Sequence, residues 1–351
     1  MSSRIPVGIL GVTGLVGRRV LARLSAHPWF EVVEAGASER SVGASLDALR
    51  IRAIEESGID PGTSRAIRGG VRALEGAWSV PLLISALPAR VARETEPRLA
   101  AAGHLVVSNA SAFRDDPSIP LVLPDVNPDH LDLIGREGGI VTNPNCSVAT
   151  FVPPLARLHH AFGVEAVSVT TFQAVSGAGS RGPTVLELTD NLLPSIPGEE
   201  EKVECEPAKL LGWIEGGSIV SARFPVSATT TRVPVLHGHL VDVAVRLSGD
   251  PSPGEVRAAL LEPATTGAAA ECPTLVGAHL RVTDDDLRPQ PRLDRSAEGG
   301  MAITVGRIRR CAVMGVRFVA LAHNLERGAA GAAVANAELA RVRERIPGVP
   351  A

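Results

Sequence analysis

The sequence predicts an α/β protein of two units: a parallel, doubly wound sheet, then an α+β unit with a mixed or antiparallel sheet. Three observations carry this. Over residues 1–145 short apolar runs alternate with helical segments, the pattern of a parallel sheet with crossover helices. A glycine-spaced turn joins the first run to the first helix. After Asn145 the apolar residues alternate in period two, as in half-exposed antiparallel strands. The 351 residues suit two units better than one core, and 45% hydrophobic content can fill both.

In order, Ile5-Pro-Val-Gly-Ile-Leu10 reads as a buried strand and 18–25 has helical spacing. Residues 31–37, 80–87 and 104–108 read as further strands, with a helix over 90–102. Beyond the midpoint, 164–174 and 240–247 alternate as strands, while 184–192 and 253–261 are compatible with helices. The charged stretch 284–300, with its glycines and prolines, predicts an exposed loop. Ala-rich 324–345 predicts one long helix. The expected division is a nucleotide-binding unit over 1–145, completed by 320–351, and a catalytic and dimerisation unit over 146–319.

A net charge of −3 gives no electrostatic case for nucleic acid. No apolar run reaches the roughly 18–20 residues of a membrane span, and the N-terminus lacks the pattern of a signal peptide. A cytoplasmic protein is expected. The four cysteines, at 146, 205, 272 and 311, are too dispersed for a zinc pair or a disulfide framework, so free thiols and no metal are expected. Among 35 basic residues the only lysines are Lys202 and Lys209, which singles out their shared segment.

The first turn, Gly8-Ile-Leu-Gly11-Val-Thr13-Gly14-Leu15-Val16-Gly17, is a spaced variant of the dinucleotide fingerprint. Its glycines let backbone N–H groups approach a pyrophosphate at the start of a helix, where negative charge is favoured. Its place between a strand and a helix defines a Rossmann-type unit. NAD sites carry an acidic residue at the end of the second strand. Here Ser38-Glu39-Arg40-Ser41 follows that strand; hydroxyls and a guanidinium suit the 2′-phosphate of NADP, with Glu39 as a counter-argument.

The segment Thr142-Asn-Pro-Asn145-Cys146-Ser147 places a cysteine where a helix begins. Free N–H groups and the helix dipole there lower a thiol pKa. On these residues alone, a nucleophile and a buried structural cysteine are equally good readings.

Asn143-Pro-Asn145-Cys146-Ser147 resembles the active-site signature of the aspartate-semialdehyde dehydrogenases, in their archaeal and fungal branch. The resemblance runs through nearly the whole chain: the glycine loop, Ser38-Glu-Arg-Ser-Val-Gly43, Asn109-Ala-Ser-Ala-Phe-Arg114, Gln173-Ala-Val-Ser176-Gly177-Ala178-Gly179, Gly198-Glu199-Glu-Glu-Lys202 and Thr231-Arg232-Val-Pro-Val-Leu-His237-Gly-His239. It implies reduction of L-aspartyl 4-phosphate by NADPH through a thioester on Cys146, with His239 as acid/base in preference to His237. Arg232 would clamp the α-carboxylate and Glu199 the α-ammonium, with Glu200 and Glu201 as neighbours that could take its place. Arg114 and Lys202 would bind phosphate, and Gln173 and Asn145 would orient the acyl group. Gly11, Thr13, Gly14, Leu15, Val16, Gly17, Ser38, Arg40, Ser41 and the 176–179 loop would hold the cofactor, and Asn324 its carboxamide. It also implies a homodimer or homotetramer.

The chain departs from the family at Ser180-Arg181-Gly182, Ala44 and Val148, none of which removes a reacting group. Other readings stay open here: an acyl-CoA reductase or a repurposed acyl-phosphate reductase on the same scaffold, and a non-enzymatic NADP-binding protein.

Overall fold

The computed structural model describes residues 4–58, 65–262, 267–277 and 280–350. The first half builds β1 (Ile5–Leu10), α1 (Leu15–Leu24), β2 (Phe30–Ala37), α2 (Leu46–Ser57), β3 (Arg72–Ala73), β4 (Leu82–Ser85), α3 (Ala89–Ala101), β5 (Leu105–Ser108) and β6 (Gly139–Thr142). Their strands form one sheet in the order β3-β2-β1-β4-β5-β6, parallel throughout. All four residues of β4 and of β5 are buried, because a parallel sheet is covered on both faces. The chain reverses direction across the sheet between β1 and β4, where a crevice opens at the carboxyl ends of the strands.

The second half begins with α4 (Val148–Phe162), β7 (Val164–Ala174), α5 (Glu200–Leu210) and a small hairpin of β8 (Trp213–Glu215) and β9 (Ser218–Val220). It continues with β10 (Val226–Val233), β11 (His239–Leu247), α6 (Pro253–Leu261), β12 (Leu280–Val282), α7 (Pro291–Asp294), β13 (Ile303–Cys311), β14 (Gly315–Ala322) and α8 (Gly331–Val342). The larger sheet runs β10-β7-β11-β14-β13-β12 and is mixed. One core joins Phe151, Leu155 and Leu158 of α4 to Val169, Val243 and Phe318 of this sheet. Another joins α1 and the returning α8 to the first sheet, while α3 covers that sheet's opposite face.

A π-turn over Glu326–Ala330 leads directly into α8, giving the single helical run expected of the tail. Its start is tied to α1 by Glu326, whose carboxylate accepts hydrogen bonds from Arg19 at 2.6 Å and Arg23 at 2.5 Å.

Two expectations fail. Residues 184–192 form turns, not a helix. The Glu187 carboxylate accepts from the Thr184 backbone and hydroxyl at 2.7 and 2.9 Å, and Leu186 is 83% exposed. Of its apolar residues only Leu188 is buried, too little to stabilise so short a helix. Residues 284–300 are not simply an exposed loop. They contain α7, and Asp294 turns inward to accept from Arg288 Nε at 2.8 Å and from the Gln290 backbone at 2.7 Å.

Phe151 is fully buried at the centre of the second core. Phe151→Ala should therefore lower the free energy of unfolding by about 3–5 kcal/mol, read from the urea midpoint; a change below about 1 kcal/mol would mean that α4 does not anchor this core.

Candidate active site

The glycine loop is shaped by close backbone packing. Gly11 has φ +79°, and a Cβ on Gly17 would lie 2.2 Å from the Gly11 carbonyl oxygen. Only glycine lets α1 start so near β1. The Gly11 and Val12 N–H groups donate to Gly36 O, and the Thr13 carbonyl accepts from Arg18. Gly14, Leu15 and Val16 are left lining a cavity of about 420 Å³ at the carboxyl ends of β1 and β4.

The same cavity is lined by Arg114, Asn145, Cys146, Ser176, Gly177 and Gly179, and also by Glu199, Lys202 and Asn324. Ser38, Arg40 and Ser41 lie apart from it, on a turn just past β2. Among the described residues no ion pair joins Glu39 to Arg40, and both are exposed. The side chains of Ser180 and Arg181 lie outside the described residues. A larger cavity, about 1000 Å³, opens at the amino ends of the first sheet near Trp29, His104 and Arg341. It has neither the glycine loop nor a thiol, so the smaller cavity is the candidate site.

Cys146 sits at the entry to α4, with its Sγ 3.2 Å from Nε2 of His239. His239 opens β11 and is fully buried. Its Nδ1 accepts the Ala174 backbone N–H at 3.0 Å. An imidazole that accepts at Nδ1 carries its proton on Nε2, so the ring presents N–H to the sulfur. Burial, with Arg232 nearby, pulls the His239 pKa down to about 3. The titration near 6.5 expected of a free histidine is thus displaced, and the ring is neutral in the working range. His237 turns elsewhere and stacks on His323 at 5.3 Å.

Arg232 and Gln173 are register partners on adjacent strands β10 and β7. Arg232 donates to Ala174 O at 2.8 Å. A Cβ on Gly177 would lie 2.9 Å from Arg232 Nη1 and 3.0 Å from His239 Nε2, so this glycine leaves room for both side chains.

Glu199 joins these groups. Its carboxylate accepts from Asn145 Nδ2 at 2.7 Å, Gln173 Nε2 at 3.2 Å and Lys202 Nζ at 3.1 Å. Burial opposes its charge, but Lys202 and the amide donors outweigh it and hold the carboxyl below the usual range. Glu200 instead accepts the Thr230 N–H, and Glu201 faces solvent. The run therefore opens helix α5; it is not a solvated turn.

The expected lowering of the thiol pKa does not occur. Asn145 Oδ1 accepts the Ser147 and Val148 N–H groups at 2.8 and 3.4 Å, and so takes up the helix-start donors. Burial and the charge of Glu199 then push Cys146 up to about 12, against Arg114 and Arg232. The resting site holds a neutral thiol beside a neutral imidazole.

Asn324 does not cap a helix. Its Oδ1 accepts the Gly238 N–H at 2.9 Å and its Nδ2 donates to Ser176 Oγ at 2.9 Å, tying the 176–179 loop to the start of β11. The sequence reading missed Glu206, which accepts the Asn145 N–H at 2.5 Å and Arg114 Nη1 at 3.2 Å, and assigned Lys209 no role. Their signal was the 3-4-3 spacing of Glu199, Lys202, Glu206 and Lys209, which marks one helix face.

A Rossmann-type sheet whose glycine loop opens on a half-buried cysteine beside a buried histidine defines the class of the nucleotide-dependent dehydrogenases. Comparison with known proteins agrees. The family model described as "Semialdehyde dehydrogenase, NAD binding domain" matches residues 6–134, and "Semialdehyde dehydrogenase, dimerisation domain" matches 155–327. The aspartate-semialdehyde dehydrogenase of Archaeoglobus fulgidus is 43% identical, over 98% of this chain and 99% of that one. That of Cryptococcus neoformans is 40% identical, over 96% and 97%. The crystal structure of aspartate semialdehyde dehydrogenase with NADP from Candida albicans superposes with a TM-score of 0.83 at 33% identity, covering 98% of this chain and all of that one. The chain belongs to the aspartate-semialdehyde dehydrogenase family.

A thiol held near 12 is almost wholly protonated at neutral pH, and the thiolate is the reacting species. Alkylation of Cys146 by iodoacetamide, followed by peptide mapping, should therefore rise about tenfold per pH unit from pH 7 to 9 without levelling. Glu199→Gln removes a charge that disfavours the thiolate, so its Cys146 should alkylate several-fold faster at pH 8. A plateau near pH 7.5, or slower alkylation in Glu199→Gln, would contradict this electrostatic balance.

Proposed function

We propose that the chain reduces L-aspartyl 4-phosphate to L-aspartate 4-semialdehyde with NADPH, releasing phosphate, through a thioester on Cys146. The observation that carries this is the 3.2 Å approach of His239 Nε2 to the Sγ of Cys146, a residue that lines the same cavity as the glycine loop. NADP fits the chain: Gly17 admits the tight loop, and Ser38 and Arg40 are exposed beyond β2, where a 2′-phosphate is recognised.

Cys146 Sγ attacks the acyl carbon, the carbon–oxygen bond to phosphate breaks, and the thiol proton leaves on the phosphate, which Arg114 and Lys202 take up as the hydrogen phosphate dianion. When bound, NADPH supplies one hydride to the acyl carbon. Charge then builds on the carbonyl oxygen. The Asn145 and Ser147 N–H groups are already engaged by Glu206 and Asn145, so the backbone on either side of the nucleophile offers no free donor. His239 Nε2–H, beside the sulfur, is a donor for that oxyanion, as a neutral imidazole can be, alongside the backbone N–H of Cys146 itself. Collapse breaks the carbon–sulfur bond and releases a thiolate, which takes one proton from solvent to restore the resting thiol.

Arg232 suits the α-carboxylate as a planar fork, and charged Glu199 suits the α-ammonium. That ammonium also offsets the charge of Glu199, one of the influences that keeps the empty site's thiol protonated. Gln173 and Asn145, both bonded to Glu199, orient the acyl group. Ser176, Gly177 and Gly179 line the cavity and would hold the nicotinamide, with Ala178 in the same turn and Asn324 bonded to Ser176.

The matched dimerisation domain supports self-association. A homodimer through the second sheet is our reading, because Phe172 on β7 and Leu186, Leu192 and Leu193 after it are exposed. Among the described residues no helix is long and apolar enough to cross a membrane. The four free thiols fit a reducing compartment, and we assign the enzyme to the cytoplasm.

In reverse, oxidation of aspartate semialdehyde by NADP should require phosphate. Turnover with coenzyme A in its place, or with neither acceptor, would overturn the proposal. Cys146→Ala should lose at least about 10⁴-fold in turnover while keeping NADP affinity within about twofold; near-normal turnover would exclude the thioester.

A further inference from the structure

Helix α5 and its N-cap residue carry Glu199, Lys202, Glu206 and Lys209 along one face, acidic and basic in turn. Such a stripe is ordinarily solvated. Here Glu206 and Lys209 are 5% and 6% exposed, so their charges are tolerable only with dedicated partners. The partners are specific. Lys209 Nζ donates to three backbone carbonyls, of Arg114 at 2.8 Å, Asp116 at 2.6 Å and Ile119 at 2.8 Å. These use all three of its protons. Burial pulls its ammonium down to about 8, with Asp116, Asp115 and Glu206 working the other way. Glu206 divides its two oxygens between the Asn145 N–H, beside the nucleophile, and Arg114 Nη1. The other end of the Arg114 guanidinium donates to Asn109 O at 2.8 Å. Arg114 is thus held by its main chain and by both sides of its fork, and the loop of Cys146 hangs from the same carboxylate. Neither Glu206 nor Lys209 lines the cavity.

We propose that Glu206 and Lys209 are positioning residues that hold Arg114 and the Asn145–Cys146 loop as one rigid unit, so that the phosphate leaves at a fixed place relative to the thiol. Fixed placement of this kind is worth large factors, and a displacement of about 1 Å can cost 10²-fold. The inference rests on Arg114 receiving phosphate.

The test is phosphate-dependent oxidation of aspartate semialdehyde by the full-length variants Glu206→Gln and Lys209→Met. Glutamine keeps the shape of Glu206 but must turn an N–H₂ toward one of two donors. Methionine keeps the stem of Lys209 and removes its three protons. Each should raise the KM for inorganic phosphate by about tenfold or more, with the KM for NADP changing less than about twofold. In Lys209→Met, whose tether touches only the Arg114 segment, the alkylation rate of Cys146 should stay within about twofold of wild type. Lys209→Arg should recover part of the phosphate KM, and it carries the test if the methionine variant does not fold. Unchanged phosphate KM values overturn the inference, as does a common rise of all three KM values, the mark of general loosening. A wild type that turns over without phosphate removes the underlying reading instead.

Discussion

The single contact on which the site depends is Cys146 Sγ against His239 Nε2, and its character is set one bond further back. Because His239 Nδ1 accepts the Ala174 N–H, the ring is held as the Nε2–H tautomer. A proton arriving at Nδ1 would face that N–H, so the imidazolium is disfavoured by geometry as well as by burial. The histidine is therefore a donor aimed at the sulfur. Burial leaves both thiol and imidazole neutral, with the charges of Glu199, Arg114 and Arg232 around them.

The two sheets supply different halves of this arrangement. The parallel sheet ends in the glycine loop and in the loop of Asn145 and Cys146 after β6. The mixed sheet supplies Arg232, Gln173 and His239 from three neighbouring strands, β10, β7 and β11. Gly177 allows two of those side chains to approach each other. The C-terminal run closes the junction, with Glu326 bonded to Arg19 and Arg23 on the helix that follows the glycine loop, and Asn324 bonded to Ser176 and Gly238.

Much of this was legible in the residues. Apolar runs with few polar interruptions marked β1, β4 and β5, and the loop spacing anticipated the packing of Gly17 on Gly11. What escaped were features that depend on tertiary partners. The thiol pKa was misjudged because the sequence does not show Asn145 Oδ1 occupying the helix-start donors or Glu199 lying close by. Residues 199–202 had the composition of a solvated turn, but Glu199 is buried and Lys202 donates to it, while Glu201 alone faces solvent. Apolar spacing over 184–192 suggested a helix, yet no surface is offered to Leu186. Asp294 turned a polar stretch inward by binding Arg288, a pairing with no local signature.

The acyl-enzyme is directly observable. The protein should be mixed with aspartyl phosphate in the absence of NADPH and its intact mass recorded, followed by peptide mapping at mildly acid pH. A covalent gain equal to one aspartyl group, located on the Cys146 peptide and discharged by adding NADPH, is the predicted result. No adduct, or an adduct on Cys205, Cys272 or Cys311 with Cys146 unmodified, would contradict it.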